Sequence, residues 1–316
     1  MGISFLNRRA DALADHAAAL AADLRIDSHL VDGCRVLDFG VKQEGGLAAG
    51  LLLARMCMSD LANIQLNVAD ESIVLVPQVL VQTDHPVEAC LMSQYAGWKI
   101  ATDDYFAMGS GPMRALARKE ELFDEFEAID DDDAAIGILE TADLPTASAI
   151  GLLRESLPSK VKLTLAVAPT ASQAGNIQVV ARSLETAMHK LHELKFPLQT
   201  VVSGTGTAPL PPVAKNDLQG IGRTNDAILY GATVNLWVRA DDDLIEEIGP
   251  QVPSSSSDAH GETFLSLFKA ANHDFYALDP ALFSPAVVIF HNLKTGRSFQ
   301  FGHKLPALLR ESFGLT

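Results

Sequence analysis

The hydrophobic positions along the chain follow two different spacings. Near the start, apolar side chains recur every three to four residues, the period of an amphipathic helix, at Leu6, Ala10, Leu13, Ala17, Leu20, Ala21 and Leu24. Elsewhere, short runs rich in Val, Ile and Leu are typical of strands. Helices are predicted over residues 6–24, 46–58, 86–95, 146–157, 170–194, 264–271 and 305–313. Strands are predicted over residues 35–39, 72–83, 98–101, 134–139, 161–168, 227–230, 234–238, 286–290 and 298–301.

This interleaving of strands and helices predicts an α/β or mixed α+β fold. With 316 residues, 48% of them hydrophobic, the chain is long enough for about two domains. We place the boundary near residues 155–160, which gives an N-terminal α/β domain over 1–157 and a C-terminal α/β domain over 158–316, with interleaving of the two allowed. A Rossmann fold is not expected. The segment Gly204-Thr205-Gly206-Thr207 lacks the third glycine of a dinucleotide fingerprint, and Pro209 prevents a helix from following at once.

Charge and cysteine content narrow the possible partners. The chain has 24 Lys and Arg against 40 Asp and Glu, a formal net charge of −16, which argues against nucleic acid and anionic membranes as partners. The acidic run 130–133 is predicted to be a solvated stretch. Three cysteines without close pairing fit free thiols in a reducing compartment. Because no signal peptide and no apolar run of about 18 residues is visible, we expect a cytoplasmic protein.

One polar stripe stands beside an apolar helix face. If residues 176–191 are helical, Gln178, Arg182, Glu185 and His189 fall within an arc of roughly 60°, since each residue advances about 100°. The alternative is an ordinary Arg–Glu pair on a solvated surface, worth a few tenths of a kcal/mol. Periodicity does not distinguish a solvated stripe from one that lines a cleft. No metal site is expected, because His189 and His192 lack the spacing of a zinc-binding helix.

Two glycine-containing segments are further candidates for ligand binding. Gly109-Ser110-Gly111-Pro112 precedes a predicted helix, where backbone N–H groups suit an anion or a polar ligand edge. Gly222-Arg223-Thr224-Asn225-Asp226 combines a flexible backbone with amide and hydroxyl groups. The alternatives are a tight turn for the first segment and a capped turn for the second.

Several segments, in order along nearly the whole chain, resemble those of methenyl-tetrahydromethanopterin cyclohydrolases. They are Asp104-Tyr105-Phe106-Ala107-Met108-Gly109-Ser110-Gly111-Pro112, Ala168-Pro169-Thr170-Ala171-Ser172, Arg182-Ser183-Leu184-Glu185, Thr224-Asn225-Asp226-Ala227, Pro253-Ser254-Ser255-Ser256-Ser257, Phe283-Ser284-Pro285-Ala286, Thr295-Gly296 and Ser312-Phe313-Gly314-Leu315. No single motif is decisive, but their order and spacing together are specific. Departures from the family pattern at 183–184 and at Ser256 leave the chemistry unchanged.

The resemblance implies an enzyme of two α/β-type domains with a pocket between them, assembled as a homotrimer. It implies no cofactor, because the tetrahydromethanopterin derivative is itself the substrate. The family's catalytic pair, an arginine followed three residues later by a glutamate, matches Arg182 and Glu185. We expect Glu185 to act as general base and acid, tuned by Arg182, in formaldehyde oxidation or methanogenesis. For substrate binding we predict Gly109, Ser110, Gly111, Pro112, Gln178, Thr224, Asn225 and Asp226.

Two other classes of function are compatible with the residues alone. The first is another one-carbon pterin enzyme, such as a formyltransferase or a dehydrogenase. The missing nucleotide fingerprint counts against the dehydrogenase. A non-catalytic pterin-binding or scaffold protein is the other. Since a scaffold has no need of Glu185, the presence of both Arg182 and Glu185 favours an enzyme.

Overall fold

A computed structural model describes residues 5–70, 72–95, 97–126 and 133–315. In chain order the strands are β1 (Asp27–Val31), β2 (Cys34–Asp38), β3 (Asn63–Asn67), β4 (Gln78–Thr83), β5 (Trp98–Thr102), β6 (Tyr105–Ser110), β7 (Ala134–Glu140), β8 (Lys162–Ala168), β9 (Val201–Pro209), β10 (Thr233–Val238), β11 (Val287–Asn292) and β12 (Ser298–Gly302). The α-helices are α1 (Leu6–Ala19), α2 (Ala21–Leu24), α3 (Leu47–Cys57), α4 (Met113–Ala117), α5 (Ala147–Glu155), α6 (Gln173–Val180), α7 (Ser183–Glu193), α8 (Asp217–Gly231), α9 (Asp242–Ile248), α10 (Phe264–Ala270) and α11 (Pro306–Phe313).

The chain divides into two compact units, each built from two stretches of sequence. The first unit comprises the described residues up to Ala62 together with those between Glu88 and Gln178; the second comprises Asn63–Val87 and the described residues from Val179 onward. These bounds differ from the predicted boundary after residue 157. That position falls between α5 and β8, and β8 pairs with both β2 and β7 of the first unit.

The first unit is a six-stranded sheet with helices on both faces. The strand order is β1-β2-β8-β7-β6-β5, and the central pairs β2–β8 and β8–β7 are parallel. One face packs against α1 and α3, and the other against α4 and α5. Strands β7 and β8 are nearly continuous apolar runs because both of their faces are covered.

The second unit is a sheet of order β12-β11-β10-β9-β4-β3, in which only β10 and β11 are parallel. Along β10, buried and half-exposed residues alternate, as expected when one face packs against helices and the other does not. Leu184 of α7 packs onto the buried face at Gly204 and Gly206 of β9. A bulge at Val202 interrupts the pairing of β9 with β10.

The mixed α/β class is confirmed, since the described residues form two mixed sheets and no closed barrel. Some predicted elements were wrong. The predicted strand 227–230 is the end of α8, where Ile228, Leu229 and Tyr230 are consecutive buried residues because α10 and α11 also pack on this helix. The predicted helix 170–194 is two helices, α6 and α7. Of the predicted strand 72–83 only β4 is a regular strand, and residues 87–94 form a π-helical segment.

Two expectations concern charge and membranes. Residues 130–132 of the acidic run lie outside the described residues, so its predicted solvation stays a prediction. Within the part of the chain that the structure describes, no helix has the length and apolarity needed to cross a membrane.

Candidate active site

The segment that carries the predicted catalytic pair consists of two short helices joined by a tight break. At its start, the Oγ of Ser172 accepts a hydrogen bond from the N–H of Gly175 at 3.0 Å. Gly175 has no room for a side chain, because a Cβ there would lie 2.0 Å from the carbonyl oxygen of Pro169. At the break, the N–H of Arg182 donates to the carbonyl of Val179, and α7 begins at the next residue. Arg182 therefore precedes α7, and Glu185 lies in its first turn.

Arg182 and Glu185 are buried, with only 5% and 4% of their surface exposed. The alternative of an ordinary solvated surface pair is therefore wrong. Charged side chains are almost never buried to this degree without partners, and both residues do make interactions within the protein. The positive end of the α7 dipole also favours a carboxylate in the first turn. The two buried charged side chains are therefore the candidate catalytic pair of the site.

His189, the fourth member of the predicted stripe, is less buried than Arg182 and Glu185. Its imidazole is partly exposed, and its Nε2 lies 3.6 Å from Oε1 of Glu193 on the next turn of α7. Burial raises the pKa of Glu193, and the nearby Lys190 opposes that rise. The break before α7 also changes the geometry that an uninterrupted helix predicts, so the stripe is not continuous.

Glycines of β9 set how closely α7 approaches the sheet. A Cβ on Gly204 would lie 2.7 Å from Cδ1 of Leu184, and one on Gly206 would lie 2.5 Å from Oγ of Ser183. The Ser183 hydroxyl is fully buried and has no hydrogen-bond partner among the described residues. Gly204 and Gly206, which do not form a dinucleotide fingerprint, therefore allow the start of α7 to pack closely against β9.

Replacing Gly206 with alanine is expected to destabilise the protein by about 1–3 kcal/mol, because the new methyl group overpacks against Ser183. Chemical unfolding measures this change. Gly151→Ala is the matched control: nothing lies near its Cβ in α5, so there alanine should be neutral or stabilising. Equal stability of the Gly206 variant and wild type would contradict the close approach of α7.

A second polar cluster, in the first unit, contains two predicted binding residues. The Nε2 of Gln178, near the end of α6, donates to Sγ of Cys57 at 3.6 Å, and the same sulfur lies 3.5 Å from Oγ of Ser110. Gln178 and Ser110 are each 1% exposed. The Oε1 of Gln178 has no hydrogen-bond partner among the described residues, so this buried acceptor is available to a ligand. From the sequence, Cys57 is predicted only to be a free thiol.

The segment 109–112 is partly a turn. Gly109 and Ser110 end β6 and pair with Leu139 and Ile138 of β7, and the turn proper begins at Gly111, whose φ of +90° favours glycine. Pro112 precedes α4, and its carbonyl accepts a hydrogen bond from Nδ2 of Asn7 at 3.0 Å. Of the four residues, Ser110 is the one whose side chain joins the Gln178 cluster.

The segment 222–226 was considered as a capped turn, but in the structure it is the middle of α8. The Oγ1 of Thr224 and the Nδ2 of Asn225 donate to the carbonyls of Gly220 and Ile221. The carboxylate of Asp226 accepts hydrogen bonds from the N–H of Phe264 and the hydroxyl of Ser312. These contacts hold α8 together and tie it to α10 and α11, so a substrate contact for the three residues stays a prediction.

Burial raises the pKa of Asp226 to about 7, although hydrogen bonds from Ser312 and Phe264 oppose the rise. The folded state therefore keeps a proton that the unfolded state releases near pH 4. The resulting stability is full below about pH 4 and is lost as the pH rises through about 7. We expect Asp226→Asn to flatten the decline in unfolding free energy between about pH 4 and 7, measured by denaturant titration. A decline as steep as that of wild type would contradict this assignment.

Among the described residues, no group of three or more His, Cys, Asp or Glu is placed to hold a metal ion. His189 and His192 are thus not part of such a group. The buried Arg182 and Glu185, together with the Gln178 cluster, are the candidates for the functional site.

The mixed α/β fold with a buried guanidinium and carboxylate at the start of one helix is compatible with an enzyme. Residues 5–313 match the family model described as Cyclohydrolase (MCH). The chain belongs to this family of hydrolases, which act on a cyclic C–N bond.

Curated relatives agree with the family match. One from Rhodopirellula baltica is 50% identical over 293 residues, covering 90% of this chain and 87% of the relative. One from Methylobacillus flagellatus is 42% identical, and the match covers 98% of this chain and 96% of the relative. One from Methanosarcina mazei is 40% identical, and the match covers 90% of this chain and 90% of the relative. All three are named methenyltetrahydromethanopterin cyclohydrolase. The resemblance stated from the sequence motifs is confirmed.

Proposed function

We propose that this protein interconverts 5,10-methenyl-tetrahydromethanopterin and 5-formyl-tetrahydromethanopterin with water. The names of its relatives support the substrate. The observation that carries the proposal is the burial of Arg182 and Glu185 at the start of α7. The residues that match the family's catalytic pair are thus placed where water is largely excluded.

The substrate sets what the protein must supply. Its methenyl carbon bridges two nitrogens and shares their positive charge, so the electrophile is already activated. Water adds to this carbon and loses one proton, which leaves a neutral carbinol. One C–N bond then breaks: the departing nitrogen takes up a proton, and the carbinol hydroxyl loses its own proton as it becomes the formyl C=O, so each hydrolysis releases one proton overall. A single carboxylate can accept the first proton and donate the second. No cofactor is part of the proposal.

We assign both proton transfers to Glu185. Its carboxylate takes the proton of the attacking water and returns it to the leaving nitrogen, so its own charge is restored at the end of each cycle. Arg182 stays protonated and presents a planar fork of N–H donors, which suits it to hold a carboxylate in one orientation. Through its positive charge, we propose, Arg182 tunes Glu185.

Gln178 fits a role in holding the pterin. Because its Nε2 is directed at Cys57, its free Oε1 offers an acceptor, which matches the N–H donors of a pterin ring. Ser110 lies against the same sulfur. The other predicted binding residues, Gly109, Gly111, Pro112, Thr224, Asn225 and Asp226, stay predictions. So do the pocket between the domains, the homotrimer, the cytoplasmic location and the role in formaldehyde oxidation or methanogenesis.

The test is loss of the methenyl absorbance when purified protein is mixed with methenyl-tetrahydromethanopterin, with methenyl-tetrahydrofolate run in parallel. Catalysed hydrolysis of the methanopterin compound well above the rate in buffer is expected. Saturable binding of the compound without turnover would instead support the scaffold alternative. Turnover of the folate compound alone would overturn the proposed substrate.

A further inference from the structure

The thiol of Cys57 lies among side chains of the first unit that come from three separate parts of the chain. Cys57 ends α3, Ser110 ends β6, and Gln178 lies near the end of α6. None of the three is more than 1% exposed. A buried cysteine usually packs as a small apolar residue, but here two polar groups approach its sulfur. The surroundings of this thiol therefore indicate a hydrogen-bonding role.

The backbone after α3 fixes where this sulfur lies. Ser59 and Asp60 both adopt left-handed conformations, with φ of +55° and +52°, which cost free energy in residues other than glycine. The side chain of Arg9 donates to the carbonyl oxygens of both residues, at 3.0 and 3.1 Å. Arg55 donates to the Asp60 carboxylate from Nε and Nη2, at 3.0 and 2.7 Å. The end of α3 is therefore held in one conformation, and Cys57 with it.

A glycine brings α6 close to α3, and so brings Gln178 within reach of Cys57. A Cβ on Gly50 would lie 2.9 Å from Cδ1 of Ile177 and 3.0 Å from Cα of Ala174. Cys57 follows Gly50 by about two helical turns, so both residues lie on the same side of α3. The side of α3 that meets α6 therefore ends at the sulfur, where Nε2 of Gln178 reaches it.

The direction of the two hydrogen bonds follows from the single hydrogen of the thiol. Nε2 of Gln178 is directed at the sulfur from 3.6 Å, so the sulfur accepts there. The thiol hydrogen is then left for the Ser110 hydroxyl, 3.5 Å from the sulfur. Turning the amide over would place its carbonyl oxygen against a sulfur that has no hydrogen left to donate. Oε1 of Gln178, which has no hydrogen-bond partner in the part of the chain that the structure describes, is thereby kept turned away from the thiol.

We propose that Cys57 is a positioning residue: its thiol sets the orientation of the Gln178 amide, so that a carbonyl oxygen and not an NH₂ group is presented to the pterin. A buried acceptor selects for a ligand N–H and against a ligand carbonyl at the same position. This role rests on the proposed function, since the orientation of Gln178 matters only if the pterin binds there. It goes further, because a thiol that takes no part in the proton transfers then determines which edge of the ring is recognised.

Two measurements on cysteine variants test this role: binding of tetrahydromethanopterin, which lacks the one-carbon unit and is not turned over, and hydrolysis of the methenyl compound. Cys57→Ala should raise Kd and KM about three- to tenfold, the usual contribution of one hydrogen bond, and leave kcat within about twofold of wild type. Cys57→Ser keeps a donor and an acceptor and should restore both constants. Cys34→Ala is the matched control, because Cys34 is equally buried in the first unit but its Sγ contacts a main-chain carbonyl, that of Arg35.

Substituting both residues distinguishes positioning from packing. If the thiol acts only through the amide, adding Cys57→Ala to a Gln178→Ala variant should change KM less than about twofold. Cys57→Val fills the space of the thiol without a hydrogen bond, so it should behave like Cys57→Ala, and it replaces that variant if alanine prevents folding. Additive effects of the two substitutions, or a serine variant as weak as the alanine variant, would overturn the role.

The binding measurement also separates failure of this role from failure of the proposed function. A wild type that binds tetrahydromethanopterin but does not hydrolyse the methenyl compound would refute the reaction, and the Kd values would still decide the role of Cys57. A wild type that hydrolyses the methenyl compound, with Cys57→Ala binding and turning over as well as Cys34→Ala, would refute the role alone. A wild type that binds neither compound would refute both.

Discussion

Replacing Glu185 with glutamine is expected to slow hydrolysis of methenyl-tetrahydromethanopterin at least about a hundredfold, the usual contribution of a positioned general base. Glutamine keeps the size of the side chain and can still accept a hydrogen bond, but it cannot take a proton from water. The loss should therefore appear in kcat, with little change in KM. Decay of the methenyl absorbance at several substrate concentrations separates the two constants.

The matched control is Glu193→Gln, the same substitution on the same helix. Glu193 faces His189 and Lys190, about a third of its side chain is exposed, and its removal should leave kcat close to that of wild type. If Glu185→Gln turned over as fast as Glu193→Gln, Glu185 would have no part in proton transfer. Circular dichroism of both variants checks that the fold is retained.

The second large effect is expected at Arg182. Arg182→Lys keeps the positive charge but loses the planar fork of donors, and should lower kcat about tenfold or more. Arg182→Met also removes the charge and leaves Glu185 buried without it, so a loss of at least about a hundredfold is expected. Stopped-flow turnover gives both values.

Arg297→Lys serves as the control for the arginine substitution, because Arg297 forms its ion pairs with Asp242 and Glu246 at an exposed position. It should lose little activity, as exposed pairs contribute at most about 1 kcal/mol to stability. The assigned role of Arg182 requires that kcat fall from wild type to the lysine variant and fall further in the methionine variant. Methionine and lysine variants of equal activity would mean that the charge of Arg182 is not used.

The local pattern of hydrophobic residues correctly predicted elements whose faces are uniformly covered. Strands β7 and β8 were recognised because each is an apolar run covered on both faces. In α8, by contrast, residues 227–230 are all buried by neighbours on several sides, which removes the helical period and makes the run resemble a strand. The break before α7 was missed because neither glycine nor proline marks positions 181 and 182.

The candidate site, like the fold, could be predicted from the sequence only in part. Motif resemblance identified Arg182 and Glu185, and periodicity put them near each other, but neither could show that both are buried. Burial depends on which distant segments cover them. The contact of Cys57 with Ser110 and Gln178 joins three parts of the chain that no local signal connects. Only the sheet topology of the first unit brings these residues together.

The interleaved units have a consequence for synthesis on the ribosome. Strand β4 pairs with β9, and Gln78 and Pro209 are register partners although the whole second stretch of the first unit lies between them. At about 5–20 residues per second, β3 and β4 emerge on the order of ten seconds before β9 does. During that interval the edge of β4 has no native neighbour strand. The nascent chain must therefore complete the first unit while it carries an open hairpin, the stage at which a chaperone would be most useful.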